Sequence, residues 1–198
     1  MWDERYQEGL AYGDAPNDFL VEQVAALRPG SCLCLAEGQG RNAVWLAERG
    51  FAVTAVDQSS VGMATAGALA AARGVSLVTE VADLAHYDLG TGNWDNIVSI
   101  FGHLPSGLRA NVHRRVVTAL KPGGTFLLEA YTPEQLETSG TGGPPDSDMM
   151  PTAELLRREL AGLEVISARE LVRMVDEGSY HRGEAAVVQF IARKPAGE

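Results

Sequence analysis

The residues with the clearest chemical potential lie in Leu33-Cys34-Leu35-Ala36-Glu37-Gly38-Gln39-Gly40-Arg41-Asn42-Ala43. A Gly-x-Gly turn separates an apolar run from a stretch of helical spacing. Small residues at such a turn let a ligand touch backbone at the carboxyl edge of a sheet. Asp57 follows Gly40 by 17 residues and ends the next apolar run. A carboxylate there can accept hydrogen bonds from both hydroxyls of a ribose. Asp83, in Val81-Ala82-Asp83-Leu84, ends a third run, where a side-chain oxygen can take the amino group of an adenine. One glycine-bearing or acidic position after each of three successive strands describes an elongated nucleoside pocket. A tight turn plus two solvated strand-end acids is the plainer alternative, and it leaves the triple register unexplained.

Groups able to handle a proton are few. His103, in Phe101-Gly102-His103-Leu104-Pro105, follows a fourth apolar run, and Glu129 and Tyr131 flank the end of a fifth on the same edge. Tyr180 and His181 stand in a turn able to fold toward the pocket, beneath the loop from Ser139 to Pro151. His86 and His113 read as surface residues, and Arg157-Arg158 as a solvated helix face. Met149 and Met150 belong either to an adaptable apolar entrance or to the core. Cys32 and Cys34 project to one side of a strand, which makes them core thiols. No His, Cys, Asp or Glu spacing resembles a metal site.

The elements that must position these groups alternate short apolar runs with helical spacing, the mark of a parallel sheet covered by helices on both faces. Asn17 or Asp18 caps a helix carrying Phe19, Leu20, Val24 and Leu27. Strands are expected at Ser31 to Ala36, Phe51 to Val56, Val75 to Val81 and Asp95 to Phe101. Helices are expected through Val44 to Gly50, from Ser60 to Arg73 and from Pro105 to Leu120. Lys121-Pro122-Gly123-Gly124 makes a tight turn into a strand at Thr125 to Ala130. Thr132 then caps a helix, with Gln135 reaching back to it. Ser139 to Pro151 has the composition and length of a lid. After a helix at Thr152 to Leu160, Leu163 to Val175 and Glu184 to Arg193 form an antiparallel hairpin, because their link is too short for a parallel return.

On these motifs the chain resembles the class I S-adenosylmethionine-dependent methyltransferases, most closely the small tellurite-resistance and thiopurine-type branch. The resemblance rests on Glu37 to Asn42, Val53-Thr54-Ala55-Val56-Asp57, Ala82-Asp83-Leu84, Trp94-Asp95-Asn96-Ile97-Val98 and Leu120-Lys121-Pro122-Gly123-Gly124. It implies an α/β fold of three layers: a doubly wound, mostly parallel seven-stranded sheet with a C-terminal antiparallel strand. S-adenosylmethionine is the implied cofactor and S-adenosylhomocysteine the product. Gly38 and Gly40 then lie under the methionine part, and Asp57 holds the ribose. Asp83 and the Leu84 backbone meet the adenine, with Gln58 beside it. Arg41, Asn42 and Phe101 complete the expected cofactor set. Trp2, Tyr6 and Tyr12 resemble the segment that folds over the cofactor. Glu37 departs from the family pattern by carrying the acid two positions nearer the loop, where it meets the methionine ammonium. The implied acceptor is a small molecule, weakly favoured as a thiol or chalcogen over a hydroxylated or amine metabolite.

Two further readings come from other classes. A non-catalytic S-adenosylmethionine-binding regulator keeps the pocket without the chemistry. Gly38-x-Gly40-x-x-Ala43 also fits the dinucleotide fingerprint of an NAD-dependent oxidoreductase. Against the latter, the chain has no Tyr-x-x-x-Lys pair, its two lysines being Lys121 and Lys194.

Composition bounds the rest. The chain has 198 residues, 45% hydrophobic and 21% charged, which gives one globular domain at roughly 150 residues per domain. A net charge of −10 disfavours nucleic acid, whose affinity comes from Lys and Arg displacing counterions. No apolar run approaches a membrane span and the first residues are acidic, so a cytoplasmic monomer or homodimer is expected. Residues 1–198 are read as one methyltransferase domain, with a cofactor-covering segment at 1–16 and a lid-like loop at 139–151.

Overall fold

The computed structural model describes residues 2–7 and 9–197. Met1 and Glu8, within the expected covering segment, and Glu198 lie outside the described residues. The strands are β1 (Ser31–Leu35), β2 (Ala52–Asp57), β3 (Val78–Val81), β4 (Trp94–Ile100), β5 (Leu120–Tyr131), β6 (Glu164–Asp176) and β7 (Arg182–Arg193). They form one seven-stranded sheet in the order β3-β2-β1-β4-β5-β7-β6. The first five of these run parallel, and β7 is antiparallel to both its neighbours. The expected hairpin is β6–β7, and its link closes with the Glu177 N–H donating to the His181 carbonyl at 2.8 Å.

The helices are α1 (Trp2–Gln7), α2 (Asp18–Gln23), α3 (Arg41–Glu48), α4 (Ser60–Ala72), α5 (Ser106–Ala119) and α6 (Ala153–Glu159). Side chains of β1 alternate between two cores. Leu33 and Leu35 pack with Val112 and Val116 of α5 and Leu156 of α6. Cys32 and Cys34 face the other way, among Phe19 and Leu20 of α2, Leu46 of α3 and Met63 of α4. The two thiols are therefore buried on one face and unpaired, as their spacing requires. Burial of both sheet faces explains the unbroken apolar runs, each fully buried Leu or Val contributing roughly 1.5–3 kcal/mol. Helix starts follow local chemistry. Asn17 Oδ1 accepts the Leu20 N–H at 3.0 Å, Ser59 Oγ the Gly62 N–H at 2.9 Å and Thr152 Oγ1 the Leu155 N–H at 3.2 Å.

Several expectations are corrected. β3 begins at Val78 rather than Val75, and as an edge strand it leaves Val78 and Val81 exposed. Lys121 to Gly124 form an excursion within β5, since Trp94 pairs with Leu120 but Asn96 with Thr125. Thr132 makes no capping bond. Gln135 reaches across to β7 instead, its Oε1 accepting the Ala186 N–H at 2.8 Å, and only a 3-10 turn (Pro133–Glu137) forms. His113 is buried, with Nδ1 2.7 Å from Glu159 Oε2, because α6 covers that face of α5. The 139–151 loop carries structure of its own. Thr141 bridges to Arg182, Ser147–Met149 is a 3-10 turn, and Arg109 Nη1 donates to the Asp148 carbonyl at 2.7 Å.

The sheet order reverses between β1 and β4, which leaves a crevice at their carboxyl ends, the usual ligand position in open α/β sheets. Among the described residues, the two non-glycine positions with positive φ are Ala36 (51°) and Phe101 (53°), just past those two strands. Strain of this kind persists only where surrounding structure enforces it. Here the Phe101 N–H is held by the Glu129 carbonyl at 2.7 Å.

Candidate active site

A cavity of about 830 Å³ opens at this edge, within the roughly 300–1,000 Å³ usual for small-molecule sites. One end is formed by the turns after β1, β2 and β3 and contributes Glu37, Arg41, Asn42, Asp57, Gln58, Asp83 and Leu84. The other end is apolar and aromatic. Phe101, Leu104 and Leu108 face Tyr12, Tyr180, His181 and the loop residues 141–145 with Met149. Residues of the hairpin link and of the 139–151 loop thus both line the cavity.

Asp57 is buried, and its oxygens hold the Gly38 N–H at 2.9 Å and the Ser59 N–H at 2.8 Å. This fixes the glycine loop to the end of β2, and burial raises the Asp57 pKa. Asp83 is exposed, and its Oδ1 accepts the Ala85 N–H at 2.8 Å. Gly38 (φ 66°) lies against the Tyr6 hydroxyl, 2.7 Å from where a Cβ would stand. Gly40 (φ 90°) is needed for packing instead. A Cβ there would lie 2.5 Å from the Ala66 Cβ, so this glycine serves the approach of α3 to α4 rather than facing the cavity.

Glu37 does what the side-chain-less N-cap Gly40 cannot. Its Oε1 accepts the Asn42 and Ala43 N–H groups at 3.0 and 2.8 Å, closing the start of α3. Burial nevertheless pushes its pKa from the ordinary 4.5 up to about 7. A carboxyl raised by folding binds its proton more tightly in the native state. Its stabilising contribution is therefore full below 4.5 and lost as the pH rises through about 7. Glu37→Gln keeps the acceptor oxygen. It is expected to leave stability near pH 5 unchanged and raise it near pH 8.5 by on the order of 1–2 kcal/mol. Thermal melts across that range check this, and a pH-independent difference contradicts it.

Trp2, Arg5, Tyr6 and Tyr12 of the N-terminal segment also line the cavity. Trp2 stacks on Tyr6 (5.9 Å) and Arg5 lies over the Trp2 and Tyr180 rings at 5.0 and 4.6 Å. The segment's attachment depends on Gln39, the unremarked x of the Gly-x-Gly. Gln39 Oε1 accepts the Ala11 N–H at 2.8 Å and Nε2 donates to the Gly9 carbonyl at 2.8 Å.

The proton-handling candidates separate. His103 lines the cavity, but its Nε2 accepts the Tyr131 backbone N–H at 3.0 Å and burial lowers its pKa to about 4. With Nε2 accepting, the proton is on Nδ1, which is a donor rather than a base. His181 lies 4.5 Å from both the Tyr12 and Phe101 rings, and burial drives its pKa down to about 2. Its Nδ1 and the Tyr131 hydroxyl, both buried, have no hydrogen-bond partner among the described residues. Glu129 is corrected as a base. It is fully buried and bonded to Arg173, Gln189 and Asn17, so no lone pair is aimed at the cavity. Arg173 and Glu177, which complete that cluster, carried no local sequence signal.

The donor set fits an adenosine-bearing cofactor with a cationic end. Asp57 and Asp83 offer oxygens at or just past successive strand ends, and Glu37 lines the same end while binding the α3 N–H groups through Oε1. Among the described residues no cluster suits a metal, and no helix is long and apolar enough to cross a membrane.

Comparison with known proteins agrees with this geometry. Residues 32–124 match the model of a methyltransferase domain. A 2-heptyl-1-hydroxyquinolin-4(1H)-one methyltransferase of Mycobacteroides abscessus is 29% identical over 105 residues, covering 52% of this chain and 46% of the relative. The chain thus matches about half the length of that curated protein. The crystal structure of TehB from Haemophilus influenzae superposes with a TM-score of 0.76 at 19% identity, over 98% of this chain and 67% of that one. A structure solved for the conversion of a disulfide bond into a thioacetal group during echinomycin biosynthesis gives 0.77 at 20% identity, over 100% and 91%. At such identities the likeness is one of fold. The matched segment nevertheless runs from β1 past β4 and contains the turns that build the acidic end of the cavity, so over residues 32–124 the chain is similar to a methyltransferase domain.

Proposed function

We propose that this protein transfers a methyl group from S-adenosylmethionine to a small-molecule acceptor. The observation that carries this reading is the single cavity that joins Glu37, Asp57 and Asp83 at one end to an aromatic slot at the other. Asp57 accepts the ribose hydroxyls, Asp83 and Leu84 bound the adenine, and Glu37 faces the ammonium. Tyr6 and Trp2 cover the cofactor from the N-terminal side. When bound, S-adenosylmethionine supplies an electrophilic methyl on a sulfonium centre. The chain's task is then alignment, and orientation of this kind contributes about 7–11 kcal/mol.

The acceptor end offers no base near neutral pH. His103 Nε2 is engaged, His181 is held neutral far below its ordinary range, and Glu129 is sequestered. The nucleophile must therefore arrive ionised or ionise readily. A thiolate or other soft chalcogen anion meets that requirement. An acidic hydroxyl on a planar ring does so too. That second reading is supported by the aromatic lining of this end of the cavity, Tyr12, Phe101, Tyr180 and His181, and by the mycobacterial relative. The expected result is a kcat–pH profile, with donor saturating, whose midpoint moves with the pKa of each aryl thiol or phenol tested. One midpoint common to all acceptors would reveal an enzyme base. Steady transfer of label from methyl-tritiated donor to any acceptor excludes a regulator that merely binds.

A further inference from the structure

Five polar side chains from four distant stretches meet in the interior beside the cavity: Asn17, Arg41, Glu129, Arg173 and Glu177. Two arginines balance two glutamates. Such buried networks are seldom more stabilising than apolar packing of the same volume, so their contribution is better sought in placement. Glu177 is the hub. Its Oε2 accepts from Arg41 Nη2 at 2.5 Å, and its Oε1 from Asn17 Nδ2 at 3.0 Å and Arg173 Nη2 at 2.9 Å. Its backbone N–H closes the link to the His181 carbonyl at 2.8 Å. That link carries Tyr180 and His181 into the aromatic end of the cavity, while Arg41 opens α3 directly after Gly40 and lines the cavity itself. The link also grips the N-terminal cover. Ser179 donates to the Ala11 carbonyl at 3.0 Å, and a Cβ on Gly178 would lie 2.5 Å from the Tyr12 carbonyl carbon.

We propose that Glu177 is a positioning residue whose ion pair with Arg41 couples the glycine-loop end of the cavity to its aromatic wall, so that filling the first orders the second. This rests on the methyl-transfer reading for the identity of the first ligand. The probe is S-adenosylhomocysteine, and the readout is amide hydrogen exchange at Gly178 to Arg182. In the wild type, saturating S-adenosylhomocysteine is expected to slow exchange there by about tenfold. In Arg41→Met/Glu177→Leu, which replaces the pair by apolar contact, the slowing is lost. The isosteric Glu177→Gln, chosen in case the double variant fails to fold, is expected to lose most of it, and Glu177→Asp to recover part. Slowing that persists undiminished in Glu177→Gln overturns the proposal, as does a wild type that binds S-adenosylhomocysteine without any slowing. A wild type that shows no binding by calorimetry instead strikes the methyl-transfer reading underneath.

Discussion

Asp57→Ala is expected to lower the affinity for S-adenosylhomocysteine by about a hundredfold, because two or more hydrogen bonds to a charged group, at roughly 1.5–3 kcal/mol each, are lost or misaligned. The carboxylate does two things at once. It offers oxygens to a ribose, and it anchors the glycine loop through the Gly38 N–H at 2.9 Å. Asp57→Asn keeps one acceptor oxygen and is expected to fall between, at about tenfold. Titration calorimetry of the three proteins reads this directly. An Asp57→Ala protein with unchanged affinity would refute the ribose assignment.

The second large effect is on stability. Arg173→Met is expected to cost about 3–5 kcal/mol, the usual penalty for removing one partner from a buried pair. Glu129, with 0% of its surface exposed, would lose its bonds from Arg173 Nε and Nη2 at 3.0 and 2.7 Å and keep only amides for its charge. In a domain of this size the loss corresponds to a melting temperature lower by roughly ten degrees. Adding Glu129→Gln removes the stranded charge and should return part of the stability. A loss below about 1 kcal/mol, or no rescue, contradicts this account of the network.

What the sequence disclosed and what it hid divide on a physical line. The placement of Gly38, Asp57 and Asp83 at or just past the carboxyl ends of β1, β2 and β3 is legible because local pattern alone sets where each strand stops. The antiparallel ending was legible from the short link between two β-rich runs. The buried network was not, since Arg41 and Glu177 are 136 residues apart and no spacing rule joins them. Gln39, between two glycines, carries no local sequence signal, yet it fastens Ala11 and Gly9 to the loop. Glu129 and His103 stand at the edge where a base would be needed. Their partners, Arg173 and the Tyr131 N–H, come from tertiary packing and remove that capacity. Gln135 makes no local cap for the same reason, since a longer-range donor on β7, the Ala186 N–H, takes its side-chain oxygen.

The central claim is that the carboxyl edge of β1 to β4 binds S-adenosylmethionine and not a nicotinamide dinucleotide. Titration calorimetry of the full chain against S-adenosylmethionine, S-adenosylhomocysteine and NAD tests it most directly. One site of low-micromolar affinity for the first two, with no heat from NAD, is the predicted result. Binding of NAD, or silence from both sulfur compounds, contradicts it.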